Sequence, residues 1–423
     1  MPALEQMVYD VYAGSRRLRA AENPLRRRDN PFPLVQSFSP CIEDRAMTPP
    51  GTTRRQALLA AASAPLATGR PAAAADPNPG KVYRIGVVSA SIRGKPQLRN
   101  GHTWHFAQYL HPDISLAAVG KYLDPGSVAM FNKYNRNPKY SFDQLPFPDT
   151  RVTHYYDADP AAIGPYLETF PGVKAAKSPE DLAAQVDAVW LGDASGFGDD
   201  HLALIAPALK RGLPTFCDKP IGETVPGTRA ILEFARAHKA PLMSSSLFRH
   251  EWGTEAAIRK RDSGDYGPIK YVIAGVEGGY HPDGWLVYGQ HPAWTVVTLL
   301  GPGAKAVSMY ARENQCHAFV TYPDRMPAEI WFGRPNERPE YNHTTVFFEK
   351  RRYEYTPSIE GDFWYGHHYQ MFRMAATFRE MVKTRREPIP HEEILAVTAI
   401  VRAGAKSVAE KGRPVELTEV ANG

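Results

Sequence analysis

A lysine and an imidazole are the two groups in this chain whose neighbours best suit them to move protons. The lysine stands in Cys217-Asp218-Lys219-Pro220, at the end of the short apolar run 214–217, which follows the helical pattern of residues 200–211. That order places Lys219 at the C-terminal end of a strand, and in open parallel sheets ligands sit in the crevice outside those ends. Partial burial there tunes a lysine for acid–base work; the plainer reading is a surface lysine between a strand and a turn. The second group lies in His281-Pro282-Asp283-Gly284-Trp285-Leu286-Val287-Tyr288-Gly289-Gln290-His291-Pro292, where two histidines, an acid and a tyrosine fall close together between glycines. Histidine titrates near neutrality and can pass a proton to or from a substrate hydroxyl. Histidine and aspartate also bind metals, but no third ligand has the spacing of a metal site, so no metal is assigned.

Three further clusters could hold a nucleotide. Ser89-Ala90-Ser91-Ile92-Arg93-Gly94 has the spacing G-x-G-x-x-G with serines at the first two glycine positions. Glycine serves there for the tight turn and for close backbone approach to pyrophosphate. Ser89 and Ser91 could still offer amides and hydroxyls, Arg93 and Lys95 could hold phosphate by charge, or the stretch could be a plain connection. Asp157 ends the run 151–156 and could accept from a ribose hydroxyl; alternatively Asp157-Ala158-Asp159-Pro160 simply starts a helix. Gly192-Asp193-Ala194-Ser195 follows the run 187–191, with His201 at the head of the next helix. Asp193, Ala194 and Asp218 are therefore cofactor candidates with Ser89, Ser91, Gly94, Asp157 and Lys219. The pairs His102/His105 and His367/His368 read as surface or core histidines.

The elements that must position these groups alternate from residue 81 onwards. Val82–Val88 is a continuous apolar run of the kind buried in a parallel sheet. Helical patterns at 103–110, 161–170, 202–210 and 227–238 alternate with strand patterns at 151–156, 187–191, 214–217 and 241–243. Ser178-Pro179-Glu180-Asp181 has the chemistry of a helix start. Such alternation predicts βαβ units and a doubly wound parallel sheet over 81–245. Beyond about 245, strand-like runs at 271–274, 306–310, 318–322, 328–332 and 344–355, with one short helix at 292–300, predict a mostly antiparallel open sheet in an α+β domain over 246–415. Two closing helices put Met371, Met374, Phe378 and Met381 on one face, and Ile394, Thr398, Val401 and Ala405 on another; both stripes read as core. Residues 112–150 have no period and read as an ordered excursion.

The chain has 423 residues, 43% hydrophobic and 22% charged, with a formal charge of +5. Its basic clusters lie in the first fifty residues, and the body has no basic stripe interleaved with aromatics, which argues against nucleic-acid binding. Thr53-Arg54-Arg55-Gln56, the apolar run 57–67 and Ala73-Ala74-Ala75 have the layout of a twin-arginine signal over 47–75, with export to the periplasm; the other reading is a disordered Ala/Pro-rich leader. The apolar run is too short to anchor in a membrane. Residues 1–46 read as disordered or as an over-extended gene start. Cys41, Cys217 and Cys316 form no disulfide framework.

Taken together, Asp218-Lys219-Pro220, Tyr288-Gly289-Gln290-His291 with Leu299-Leu300-Gly301-Pro302-Gly303, Ser244-Ser245-Ser246-Leu247-Phe248-Arg249 and Gly101-His102-Thr103 resemble the Gfo/Idh/MocA family, the glucose-fructose oxidoreductase and inositol dehydrogenase group. The resemblance covers roughly residues 81–415. It implies an N-terminal Rossmann domain, a C-terminal open sheet, and NAD- or NADP-dependent oxidation or reduction of a carbohydrate-like alcohol by a homo-oligomer. Lys219 would contact nicotinamide ribose and substrate, and His291, helped by Tyr288 or Lys219, would move the hydroxyl proton. His281, Asp283 and Arg249 would line the substrate. The chain departs from the pattern at its two serines, at Val287 and at Trp294, where the family often carries acids at the latter two positions. A non-catalytic binding protein on the same scaffold, or transient oxidation that enables elimination, are the alternatives.

Overall fold

Strands that are apolar on both faces need a sheet covered on both sides. In the computed structural model the chain runs through β1 (Tyr83–Ser89), a small hairpin of β2 (Ser91–Ile92) and β3 (Lys95–Pro96), α1 (His102–Leu110), α2 (Leu116–Tyr122), β4 (Thr150–Tyr156), α3 (Pro160–Thr169), β5 (Lys174–Ala175), α4 (Pro179–Ala183), β6 (Ala188–Gly192), α5 (His201–Lys210), β7 (Thr215–Cys217), α6 (Val225–Ala237) and β8 (Leu242–Met243). The described residues are 80–97, 101–125, 127–128, 131, 146–193, 196–277, 281–333, 342–355 and 363–422. The calls on the leader 1–75, on Ala194, on most of the central part of 112–150 and on the His367 and His368 side chains lie outside them.

The first sheet has the order β5-β4-β1-β6-β7-β8 and is parallel throughout. Counted along the sheet's own strands this is 3-2-1-4-5-6, the doubly wound order, which reverses between β1 and β6. Ser89 pairs with Gly192 at the C-terminal ends of those two strands, so the crevice opens there. Local chemistry sets the helix starts. Asp159 caps α3 by accepting from the Ala161 amide, and Ser178 caps α4 by accepting from Asp181, each with proline at the first helical position.

The second half continues through a 3-10 turn at Leu247–His250, α7 (Trp252–Ser263), β9 (Ile269–Glu277), α8 (Pro282–Tyr288), α9 (Gln290–Leu300), β10 (Ala306–Arg312), β11 (Gln315–Thr321), β12 (Ala328–Gly333), β13 (Asn342–Phe348), β14 (Arg352–Tyr355), α10 (Phe363–Thr384), α11 (His391–Ala409) and β15 (Val415–Glu416). Its sheet, β14-β13-β9-β12-β11-β10-β15, is antiparallel except for β9 beside β12. The single short helix expected here is corrected to three. The sequence of α7 is charged and weakly patterned, and its end is set by Gly264 in the left-handed region at φ 74°. Residues 282–288, given no element from sequence, form α8 because His281 and Pro282 supply its cap and first turn.

One face of this sheet is covered by α9 and α11. The other carries Tyr271, Tyr310, Phe319, Trp331 and Phe347 at alternating positions, none fully buried. Trp331 lies flat across Gly275 on the next strand, where a Cβ would come within 2.0 Å of the indole. The closing helices wind back onto the first half. Phe378 of α10 meets Trp190 of β6 edge-on at 5.2 Å, and Trp190 stacks on Phe216 at 3.8 Å. Arg379 grips Asp149 with two bonds of 2.5 Å. Residues 74–423 accordingly form one compact unit.

Candidate active site

Lys219 is the point where the two halves meet. Its side chain is buried, and its Nζ lies 3.5 Å from the Val287 carbonyl and 5.2 Å from the centre of the Tyr288 ring, both on α8. Burial pushes the ammonium pKa down, and the Asp218 and Asp193 charges oppose that push. Asp218 is fully buried and heavily used. Its Oδ1 accepts from the Lys219 amide, and its Oδ2 accepts from the Asp193 amide at 2.8 Å and pairs with His102 Nδ1 at 2.5 Å.

His291 sits on the first turn of α9, also buried, with Nδ1 2.6 Å from the Ser246 hydroxyl. Phe248 stacks on its ring at 4.8 Å, and the Tyr288 ring stands 6.0 Å away. Ser246 caps the 3-10 turn that carries Phe248, accepting from the Phe248 amide. One short turn therefore fixes the imidazole by a hydrogen bond and by packing. The structure brings Lys219, Tyr288 and His291 together, with Tyr288 flanked by the amine and the imidazole. Val287 offers its carbonyl to the lysine where an acid was absent, and Trp294 is core.

The expected phosphate loop takes a different shape. Residues 91–96 form the hairpin β2–β3, and α1 starts only at His102. Ser91 gives both its amide and its hydroxyl to Asp200 Oδ2, at 2.8 and 2.6 Å. Gly94 stands at the hairpin turn with φ 75° and open space where a Cβ would be, so it serves the turn and not close strand–helix packing. That packing is done by Gly192, whose added Cβ would lie 2.6 Å from the Thr103 amide. Ser89 is buried at the end of β1 next to Asp157 and Tyr155. Asp157 is itself buried, accepting from Tyr155 and from the Asp159 amide, and burial raises its pKa despite those bonds.

Asp193 proves to be a hub. Its carboxylate accepts from Gln97 and from the Gly196 amide and pairs with His201 Nε2 at 3.0 Å, both groups fully buried. Burial works against the charge on His201, yet Cys217 and Asp193 beside it hold its pKa well above the ordinary range. The helix-end reading of His201 missed this, since no local pattern reveals a partner eight residues back across a strand end.

The expected substrate contacts separate. His281 uses Nδ1 to cap α8, accepting from Gly284. Asp283 is half-exposed and pairs with Arg93 of the hairpin at 3.2 Å, while Arg93 also lies over Phe197 at 4.3 Å. Arg249 is corrected: it binds Glu393 and Thr298 and lies over Trp294. Thr298 is seven residues, about two helical turns, beyond His291 on α9. It lines a separate cavity of about 750 Å³ with Arg261, Asp324 and Glu393.

Behind the Phe248 turn, Glu251 is buried and neither carboxylate oxygen has a hydrogen-bond partner. Burial raises its pKa from 4.5 to about 8, with the neighbouring Gln370 working against it. The unfolded chain releases this proton at lower pH than the folded one. Stability from this group is thus complete at pH 4, declines as pH rises towards about 8, and then levels. At about 1.4 kcal/mol per unit, the loss at neutral pH is on the order of 3 kcal/mol. Glu251→Gln should raise the melting temperature at pH 7.5 and flatten its fall between pH 5 and 8. Identical curves for the two proteins would refute this.

No family model matches the chain. A segment of 86 residues is 35% identical to the inositol 2-dehydrogenase of Burkholderia multivorans, over 20% of this chain and 25% of that protein. The chain thus matches about a quarter of the length of these curated relatives. The fold is similar to that of the apo scyllo-inositol dehydrogenase of Lactobacillus casei, with a TM-score of 0.62 and 15% identity over 80% of this chain and 99% of the other. It is also similar to an Agrobacterium radiobacter oxidoreductase solved with NAD+, L-tartaric acid and magnesium, with a TM-score of 0.58 and 12% identity over 80% and 99% of the two chains. The chain therefore has the two-sheet fold of the inositol dehydrogenases and related oxidoreductases.

Proposed function

We propose that the protein is an NAD- or NADP-dependent oxidoreductase acting on a hydroxyl of a polyol or sugar. The observation that carries this is the meeting of Lys219 from the doubly wound sheet with Tyr288 and His291 from the second half. The residues fit a dinucleotide. The crevice lies at the strand reversal, and Gly192 lets the backbones of β6 and α1 approach within a distance that no side chain would permit. A bound nicotinamide would accept or give the hydride. The chain's own groups do the rest. The Lys219 ammonium holds the substrate oxygen. His291, its ring fixed by Ser246 and Phe248, takes or returns the hydroxyl proton on Nε2. Burial of both groups keeps water from the reacting oxygen and strengthens each charge–dipole contact.

The hairpin standing in place of the glycine loop favours a second reading, a binding protein that has lost turnover. One experiment separates them. Purified protein is mixed with NAD+ or NADP+ and a panel of inositols and sugars, and absorbance of the reduced nicotinamide is followed. Turnover with at least one polyol supports the enzyme; cofactor binding without turnover on any of them supports the alternative. We further propose export by the twin-arginine route, for which a mature N-terminus near residue 76 is the test; a start at Met1 would reject it. The aromatic outer face of the second sheet supports a homo-oligomer, so light scattering should give a multiple of the mass of the purified single chain, which is 47.0 kDa before any processing, and a monomer at micromolar concentration would count against it.

A further inference from the structure

Three carboxylates stand at the C-terminal ends of strands of the parallel sheet: Asp157 after β4, Asp193 after β6 and Asp218 after β7, each at most 5% exposed. A ligand carrying phosphate meets like charge there unless cations intervene. His201 answers Asp193. Ser91, at one of the substituted glycine positions, has both its amide and its hydroxyl spent on Asp200. Arg93 is held by Asp283 at the surface.

His102 is different. It is nearly buried, with a side chain 12% exposed, and its Nδ1 is tied to the buried Asp218. A carboxylate accepts, so Nδ1 carries a proton and the ring orientation is fixed; in the imidazolium form Nε2 carries one too, and both nitrogens donate. Nε2 then points away from Asp218, and among the described residues it has no hydrogen-bond partner. Gly192 presses the start of α1 against the end of β6, which sets this ring at the strand reversal. Asp218 also accepts from the amides of Lys219 and Asp193, so His102 shares its anchor with the lysine of the candidate site.

We propose that His102, as an imidazolium, donates from Nε2 to a phosphate of the dinucleotide cofactor, while Asp218 locks its ring by accepting from Nδ1. This rests on the dinucleotide reading above. It gives the chain a donor where two fingerprint glycines are missing.

The test is a fluorescence titration of NADH and NADPH against wild type, His102→Asn, His102→Gln and His102→Ala, with melting temperatures as a fold control. The asparagine amide reproduces Nδ1 and keeps the bond to Asp218, but it removes Nε2. Losing a charge-assisted bond to phosphate weakens Kd by about tenfold to a hundredfold. His102→Asn should show that loss with an unchanged melting temperature, and its Kd should depend less on salt. A purely structural role predicts the opposite: His102→Asn binds like wild type, and that result overturns the proposal. If His102→Asn fails to fold, His102→Gln, which retains a neutral donor near the Nε2 position, must bind more tightly than His102→Ala; equal Kd values for those two variants overturn it. Wild type that binds neither dinucleotide would instead reject the cofactor reading, and this inference with it.

Discussion

Lys219→Met lowers turnover by about a hundredfold to ten-thousandfold and leaves the fold intact. The methionine stem fills the channel that the lysine methylenes occupy, so little packing is lost. Asp218 is not orphaned by the change, because it still accepts from two amides and from His102. What disappears is one buried positive charge beside Tyr288 and the Val287 carbonyl. If that charge holds the substrate oxygen, kcat falls much more than cofactor affinity, which the outer part of the crevice supplies. The check is steady-state kinetics with the polyol that supports turnover, beside a thermal melt. Turnover within threefold of wild type would remove Lys219 from the chemistry.

His291→Asn is expected to cost a similar factor, about a hundredfold or more, with a distinct pH signature. Asparagine, whose amide falls near Nδ1, can still bond the Ser246 hydroxyl, so the Phe248 turn keeps its shape. It cannot take a proton. Wild type should show an acidic limb in kcat/KM where the imidazole gains its proton, and the variant should lose that limb. Its residual rate should instead climb with pH as hydroxide does the work. An unchanged pH profile at reduced rate would mean that His291 only shapes the pocket, and a different base would have to be sought.

Much of the scaffold could be read from residues alone, for definite reasons. The strands 83–89, 188–192 and 215–217 are apolar on both faces, and that property belongs to local sequence. Ser178-Pro179 and Asp159-Pro160 announce helix starts by their own chemistry. The pairing of Lys219 with the segment around His291 was reachable because both motifs are short and contiguous. The remainder was hidden in long-range contacts. His102 and Asp218 are 116 residues apart, and His201 and Asp193 meet only because a strand end and a helix start face each other. Arg249 illustrates the converse. The family resemblance implied a substrate contact for it, but its guanidinium is taken up by Glu393 and Thr298, neither of which its own segment announces. The segment 89–94 misled by spacing: six residues with fingerprint periodicity fold as a hairpin because Arg93 and Gly94, both at positive φ, make a tight turn there.

The most direct measurement is a crystal structure of the protein with NADH or NADPH bound. The nicotinamide ring should lie between Lys219 and His291, beside Tyr288, leaving room for an alcohol whose carbon approaches the ring at about 3–3.5 Å. A dinucleotide seated elsewhere, with its ring remote from both side chains, would contradict the account.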